Sequence, residues 1–277
     1  MKKLILPIAL LVFSLGTLRM NAQEKLSVDT LHCSNIGFTV SPVFPSTNSS
    51  FAKTLDGTRT HDGTMASLYK GPYLSFGLEY SFKSRNGWLF SGEGELTFGN
   101  DNLTLRNDRM GDVFTRDSIV VGTNGVDANV TCYNRGLSLR AGVGKIFQIM
   151  PKNPNPGPFV RASAGLMQQQ TVFFLNDVNA PQVDGDYANL YDHQRRGFNL
   201  SQEVGFWYMN NTSNVLNFHV SFEVTECWTH STRKYVIDDV LGLRGPDNNK
   251  YFDLLYSIKF CWMFPLTGKT AYDYYYH

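Results

Sequence analysis

Several histidines and carboxylates of this chain stand in polar stretches where side chains are free to react. His61, His193 and His230 occur in such stretches with Asp62, Asp186 and Asp192, and an imidazole near a carboxylate is the starting material of general acid–base catalysis. Their spacing assembles nothing further. The chain has no G-x-S-x-G elbow, no H-E-x-x-H pair and no G-x-x-x-x-G-K phosphate cradle. Four cysteines, Cys33, Cys132, Cys227 and Cys261, match no zinc spacing, and three disulfide pairings among them are open. The expectation is a protein that is not an enzyme, with no metal, no cofactor and no small-molecule substrate. A rim-located protease or acyltransferase built on the loop histidines and a stand-alone structural or adhesive barrel are the competing readings.

A second set of charges is more informative because of its phase. Glu79, Glu93, Glu95, Arg140, Arg161, Glu203, His219, Glu223 and Lys259 all fall on the polar side of segments in which apolar and polar residues alternate. Alternation is the period-2 signature of a strand with two unlike faces. From Pro72 to Lys83, Leu74, Phe76, Leu78, Tyr80 and Phe82 share one face, with Ser75, Gly77, Glu79 and Ser81 on the other. Asn86-Gly87 then marks a tight turn, and Trp88, Phe90, Leu96 and Phe98 return opposite Ser91, Glu93, Glu95 and Thr97. Two further hairpins follow around the turns 152–157 and 210–214. A last strand carries Phe252, Leu254, Tyr256, Ile258, Phe260, Trp262 and Phe264 on one face, and Ile36, Phe38 and Val40 supply a shorter one that ends by Pro42. The count is about eight.

Connections between these strands alternate short and long, as in barrels with tight periplasmic turns and large external loops. The chain also opens as a secretory signal peptide does: Lys2 and Lys3, an apolar run from Leu4 to Leu18, and a small residue at Ala22. Later in the chain no apolar stretch is long enough for a helix to cross a bilayer. Net charge is +1, which leaves no basic footprint and sets nucleic-acid binding aside. The expected architecture is all-β: an antiparallel transmembrane β-barrel of about eight strands in an outer membrane, with lipid around its greasy face. Residues 1–22 form the signal peptide, 23–35 an N-terminal periplasmic segment, 36–264 the barrel and 265–277 a tyrosine-rich periplasmic tail.

The inside of an eight-stranded barrel is just wide enough for side chains. The nine charges above are therefore expected to pair across the lumen and plug it, since isolated buried ions cost several kcal/mol or more. A proton path through the same residues is the sharper alternative. Candidate partner-binding residues gather in the external loops: Asp184, Asp186, Tyr187, Tyr191, Arg195 and Arg196 in one, and Trp228, Arg233 and Tyr235 at the next. Arg and aromatic residues are over-represented at interface hot spots. Tyr274, Tyr275 and Tyr276 in the tail are candidates of the same kind.

The C-terminal half, from Gly157 to Phe264, carries Ala164-Gly165-Leu166-Met167-Gln168, Gly185-Asp186-Tyr187, Tyr191-Asp192, Gly197-Phe198, Asn217-Phe218, Phe222-Glu223 and Asp253-Leu254-Leu255-Tyr256. In these residues it resembles a group of outer-membrane β-barrel proteins widespread in Bacteroidota. The resemblance implies an envelope barrel and makes an accessory role in that phylum's type IX protein secretion system an expectation, with other envelope or secretion proteins as partners. None of these motifs is a catalytic signature.

Overall fold

The computed structural model describes residues 32–46, 73–99, 120–149, 155–176, 179–209, 217–238, 243–248 and 250–266. The expected signal peptide, the Tyr274–Tyr276 tail, His61 and Asp62 lie outside the described residues.

Eight long strands carry the fold: β1 (Cys33–Pro45), β2 (Tyr73–Lys83), β3 (Trp88–Phe98), β5 (Asp127–Ile146), β6 (Gly157–Asn176), β7 (Arg195–Met209), β8 (Asn217–Ser231) and β11 (Lys250–Pro265). Three short strands, β4 (Val120–Val121), β9 (Val236–Asp238) and β10 (Leu243–Gly245), belong to the connections. Each long strand pairs antiparallel with its neighbours in the order β3-β2-β1-β11-β8-β7-β6-β5, and β3 pairs again with β5. That last ladder closes the sheet into a barrel and leaves no open edge among the eight. The β2–β3 connection turns on Gly87, whose φ of 78° is in the left-handed region open to glycine. An added Cβ there would lie 2.6 Å from the Ile146 carbonyl oxygen.

The distribution of polarity is inverted relative to a water-soluble protein. Phe38, Leu139 and Leu166 are 56%, 58% and 68% exposed on the outside, whereas Lys259, His219 and Trp207 are fully buried inside. The outward face is greasy along every long strand, from Ile36 on β1 to Phe264 on β11. It is bounded at both ends by aromatic rings. Phe198, Trp228 and Phe252 stack across β7, β8 and β11 at the loop end, while Tyr208, Phe218 and Trp262 hold the corresponding positions at the turn end. About ten residues separate the two belts on each strand, which at ~3.3 Å per residue and a tilt near 40° gives a band roughly 25 Å tall. That is the height of the hydrocarbon zone such barrels span. No helix among the described residues is long and apolar enough to cross a membrane, so only the strands present this surface.

Several boundaries differ from those read in the sequence. β1 starts at Cys33 and runs past Pro42 to Pro45, and β5 and β6 reach 20 residues each. The barrel therefore claims part of the segment assigned to an N-terminal extension. β5 and β6 outlast the apolar band because each supplies the other with hydrogen bonds as far as Asn129 and Asn176. Alternation fades where both faces leave lipid, and so the extra length carries no periodic signal.

Candidate functional site

All nine charges predicted for the lumen point inward, and the ladders explain how they meet. The register sets Glu79 beside Glu93, Glu93 beside Arg140, Arg161 beside Glu203 and Glu203 beside Glu223. Two of these pairings juxtapose like charges, which is unfavourable on one sheet face. Barrel closure resolves the conflict by bringing cations from the far wall. Arg140 on β5 donates to Glu95 at 2.6 Å and across the lumen to Glu223 at 2.5 Å, with its Nε 2.5 Å from Glu93. Arg161 on β6 meets Glu203 at 2.6 Å and, from the opposite wall, Glu79 at 2.8 Å. Lys259 on β11 joins Glu93, Glu95 and Glu223 at 2.8, 3.1 and 2.6 Å. Ser221 donates a further hydrogen bond to Glu203 at 2.5 Å. His219 stacks on Trp207 with ring centroids 5.3 Å apart, and its nitrogens stand 3.4 Å from Glu79 and 3.8 Å from Glu203.

Two groups, Glu79–His219–Cys261 and Glu93–Glu95–Glu223, have potential ligand atoms within 4.8 Å of one another. Their carboxylates are already engaged by Arg161, Arg140 and Lys259. The chain's own cations thus occupy the positions a metal would take.

Sequence reasoning missed what lies below and above this network. At the turn end the lumen is filled by Leu89, Ile146, Phe159, Trp207, Met209 and Met263 with Cys33 and Cys261. These residues stand in the polar phase of their strands, so they read as noise in the alternation; the signal available was an apolar residue at the last inward position of several strands at once. Toward the loops, a cavity of about 50 Å³ is lined by Glu95, Arg140, Gln169, Asn199, Glu223 and Cys227 among others, room for a few waters. At the mouth Arg195 packs over the Tyr251 ring at 3.6 Å. All four cysteines are buried, and no disulfide joins them.

A cap of loop residues packs on the extended ends of β5 and β6. Val120, Ala128, Val130, Cys132, Ala180, Val183 and Tyr191 form a second apolar cluster, with Leu190 and Ile237 against it. Backbone bonds tie the loops to one another: Ile237 donates to Leu190 at 2.9 Å and Thr123 to Asn179 at 2.9 Å. Pro181–Val183 makes a 3-10 turn and Gly185–Ala188 one helical turn, whose first amide is capped by the Asp184 carboxylate at 2.7 Å. Arg233 forms an ion pair with Asp192 from the facing loop. The Asp192 hydrogen bond holds the Arg233 guanidinium still further above its ordinary value. Asp192 also accepts from the Gln194 amide at 3.2 Å.

The partner-binding candidates divide on this geometry. Tyr187 and Tyr235 are 61% and 47% exposed on the cap, and Asp184 and Asp186 are exposed beside Tyr187. Tyr191 and Arg195 are not available to a partner: the apolar cluster takes the first and the lumen mouth the second, leaving 6% and 5% exposed. Arg233 is held by Asp192. Trp228 belongs to β8 rather than a loop and faces outward in the aromatic belt, and Arg196 faces outward on β7. Of the loop residues weighed for catalysis, His193 is buried with φ 47°, Asp192 is held by Arg233 and His230 faces outward from β8. The described members of that set do not converge.

No protein family and no curated protein is matched by the chain's sequence. Among solved structures it is similar to Ail, the attachment invasion locus protein of Yersinia pestis, in complex with the heparin analogue sucrose octasulfate: 12% identity, 84% of this chain and 97% of that one covered, TM-score 0.36. It is also similar to Neisserial surface protein A, at 9% identity over 82% and 95% with TM-score 0.35. A third is the outer membrane protein OprG from Pseudomonas aeruginosa, at 12% identity over 87% and 99% with TM-score 0.28. Likenesses of this degree say nothing about a shared ligand or role.

Proposed function

We propose that this chain is a non-enzymatic outer-membrane β-barrel with a closed lumen, acting as an accessory or scaffolding subunit of an envelope assembly. The observation that carries the reading is the combination of a greasy exterior with an interior blocked by side chains. An apolar plug occupies the turn end and nine charged or ionisable groups the middle, with a cavity of only about 50 Å³ toward the loops. A barrel so filled offers no route for solutes, which leaves its outer wall and its cap as working surfaces. On the cap, Tyr187 and Tyr235 stand exposed on loops that are already ordered. Preorganised aromatic anchors lose little entropy on docking.

The resemblance of residues 157–264 to Bacteroidota barrels makes a type IX secretion translocon the assembly to examine first. Crosslinking in cells from a photoreactive group at position 187 or 235, followed by mass spectrometry, tests the scaffolding role. Adducts to one or a few envelope proteins are expected, and recovery of the uncrosslinked chain alone would overturn it. Planar-bilayer recording tests the closed lumen: the purified barrel should show no stable conductance.

A further inference from the structure

A row of basic side chains crosses three neighbouring strands on the outer wall, at the loop end of the greasy band. The ladders set Arg196 of β7 beside His230 of β8 and His230 beside Lys250 of β11. Gln168 of β6 stands next to Arg196 and completes the row. Arg196, His230 and Lys250 are all exposed. One outward position lower, the same ladders align Leu166, Phe198, Trp228 and Phe252, the aromatic belt that marks the hydrocarbon edge. The row therefore lies at headgroup depth.

Among the described residues no carboxylate pairs with Arg196 or Lys250, and none of the three residues has an ion pair. Arg196 donates its Nε to Gln168 at 2.8 Å, which leaves its terminal nitrogens outside that bond. The one carboxylate of β8 on this face, Glu226, sits below Trp228 on the side away from the row and is only 8% exposed. Two exposed cations, Arg196 and Lys250, flanking an imidazole at that depth suit an anion from outside the protein.

We propose that Arg196, His230 and Lys250 form a binding site for the phosphates of an anionic lipid in the leaflet on the loop side, a proposal that rests on the membrane-barrel reading. A guanidinium takes phosphate oxygens in a two-pronged contact, and an ammonium adds a point charge. The row spans two strand spacings, roughly 10 Å, enough for more than one phosphate of a single headgroup. Acyl chains of the same lipid would lie over Phe198, Trp228 and Phe252.

The test uses the full chain folded in a zwitterionic detergent, with tryptophan emission as reporter, Trp228 lying in the belt beside the row. The probes are diphosphorylated lipid A, the same lipid stripped of phosphate, and inorganic phosphate. At about 1 kcal/mol per cation, the R196Q/K250Q double variant should bind the diphosphorylated lipid about 30-fold more weakly than the parent. Stripped lipid should bind the parent and the double variant alike, and inorganic phosphate should not displace the lipid. Lys145→Gln, which removes an outward cation beside Trp88 at the opposite end of the barrel, should change nothing. Equal binding of stripped and phosphorylated lipid, an unaffected double variant, an equal loss in Lys145→Gln, or displacement by free phosphate would each overturn the proposal. Folding of each variant is checked by the shift in gel migration between heated and unheated barrel; if the double variant fails to fold, Arg196→Gln and Lys250→Gln alone should each weaken binding about fivefold. A chain that is monodisperse without detergent would defeat the barrel reading itself, whereas a detergent-requiring barrel indifferent to lipid phosphate would defeat only this site.

Discussion

Replacing Arg140 with methionine should be among the most damaging single changes in the lumen, and its effect can be worked from the contacts. Arg140 is the shared partner of Glu93, Glu95 and Glu223, all three buried. Without it, the three carboxylates keep the Lys259 ammonium and, at Glu93 alone, a longer 3.9 Å contact with Arg161. Methionine fills most of the volume, so the loss is electrostatic rather than a cavity. Breaking a buried pair by removing one member costs about 3–5 kcal/mol, and with three acceptors stranded the upper end is expected. Adding Glu223→Gln removes one of those carboxylates and restores the parent charge balance of the cluster. The double variant should recover at least about 1 kcal/mol relative to the sum of the singles, the sign of direct coupling. Equilibrium urea unfolding in lipid vesicles, followed by tryptophan emission, measures both quantities. A single variant within about 1 kcal/mol of the parent, or strict additivity in the double, would refute the idea that the network is what fills and fixes the lumen.

Other parts of the structure make independent predictions. Gly165→Ala should destabilise the barrel by about 1–3 kcal/mol or prevent closure, because the new methyl would lie 1.9 Å from the Leu139 carbonyl oxygen; vesicle folding yield reports it, and a fully folded, unchanged variant would contradict the register. Trp207→Ala should expose Cys261, a member of the same apolar plug, so that a small water-soluble thiol reagent labels it about tenfold faster or more, given the cavity such truncations leave; equal labelling would mean that the plug does not seal that end. Asp192→Asn should loosen the cap without touching the barrel, since its partner Arg233 lies in the facing loop. Limited proteolysis should then cut within 179–194 or 232–238 sooner, at an unfolding cost below about 1 kcal/mol because the pair is partly solvated.

Strand identity was legible because lipid on one side and packed charge on the other impose a strict period of two. The nine lumen residues could be picked out for the same reason, each occupying the polar phase of its strand. Which of them pair could not be read, since Arg161 reaches Glu79 and Lys259 reaches Glu93 only through closure of β3 on β5. The plug escaped detection because Phe159, Trp207 and Met263 interrupt the polar phase with apolar side chains. Tyr191 and Arg195 were misjudged as surface groups for a related reason. Loop residues carry no periodicity, and the apolar cluster that buries Tyr191 draws on residues from Val120 to Tyr191 that meet only above the finished barrel.

The four tryptophans offer the most direct check on which solvent touches each face. Trp88, Trp228 and Trp262 point outward, each more than 40% exposed, and Trp207 points inward at 0%. In single-tryptophan variants refolded into vesicles of lipids with brominated acyl chains, the emission of Trp262 and Trp228 should be strongly quenched and that of Trp207 left nearly intact. Quenching of Trp207 with the outward pair spared, or failure of the chain to insert at all, would contradict the placement of hydrocarbon outside and charge within.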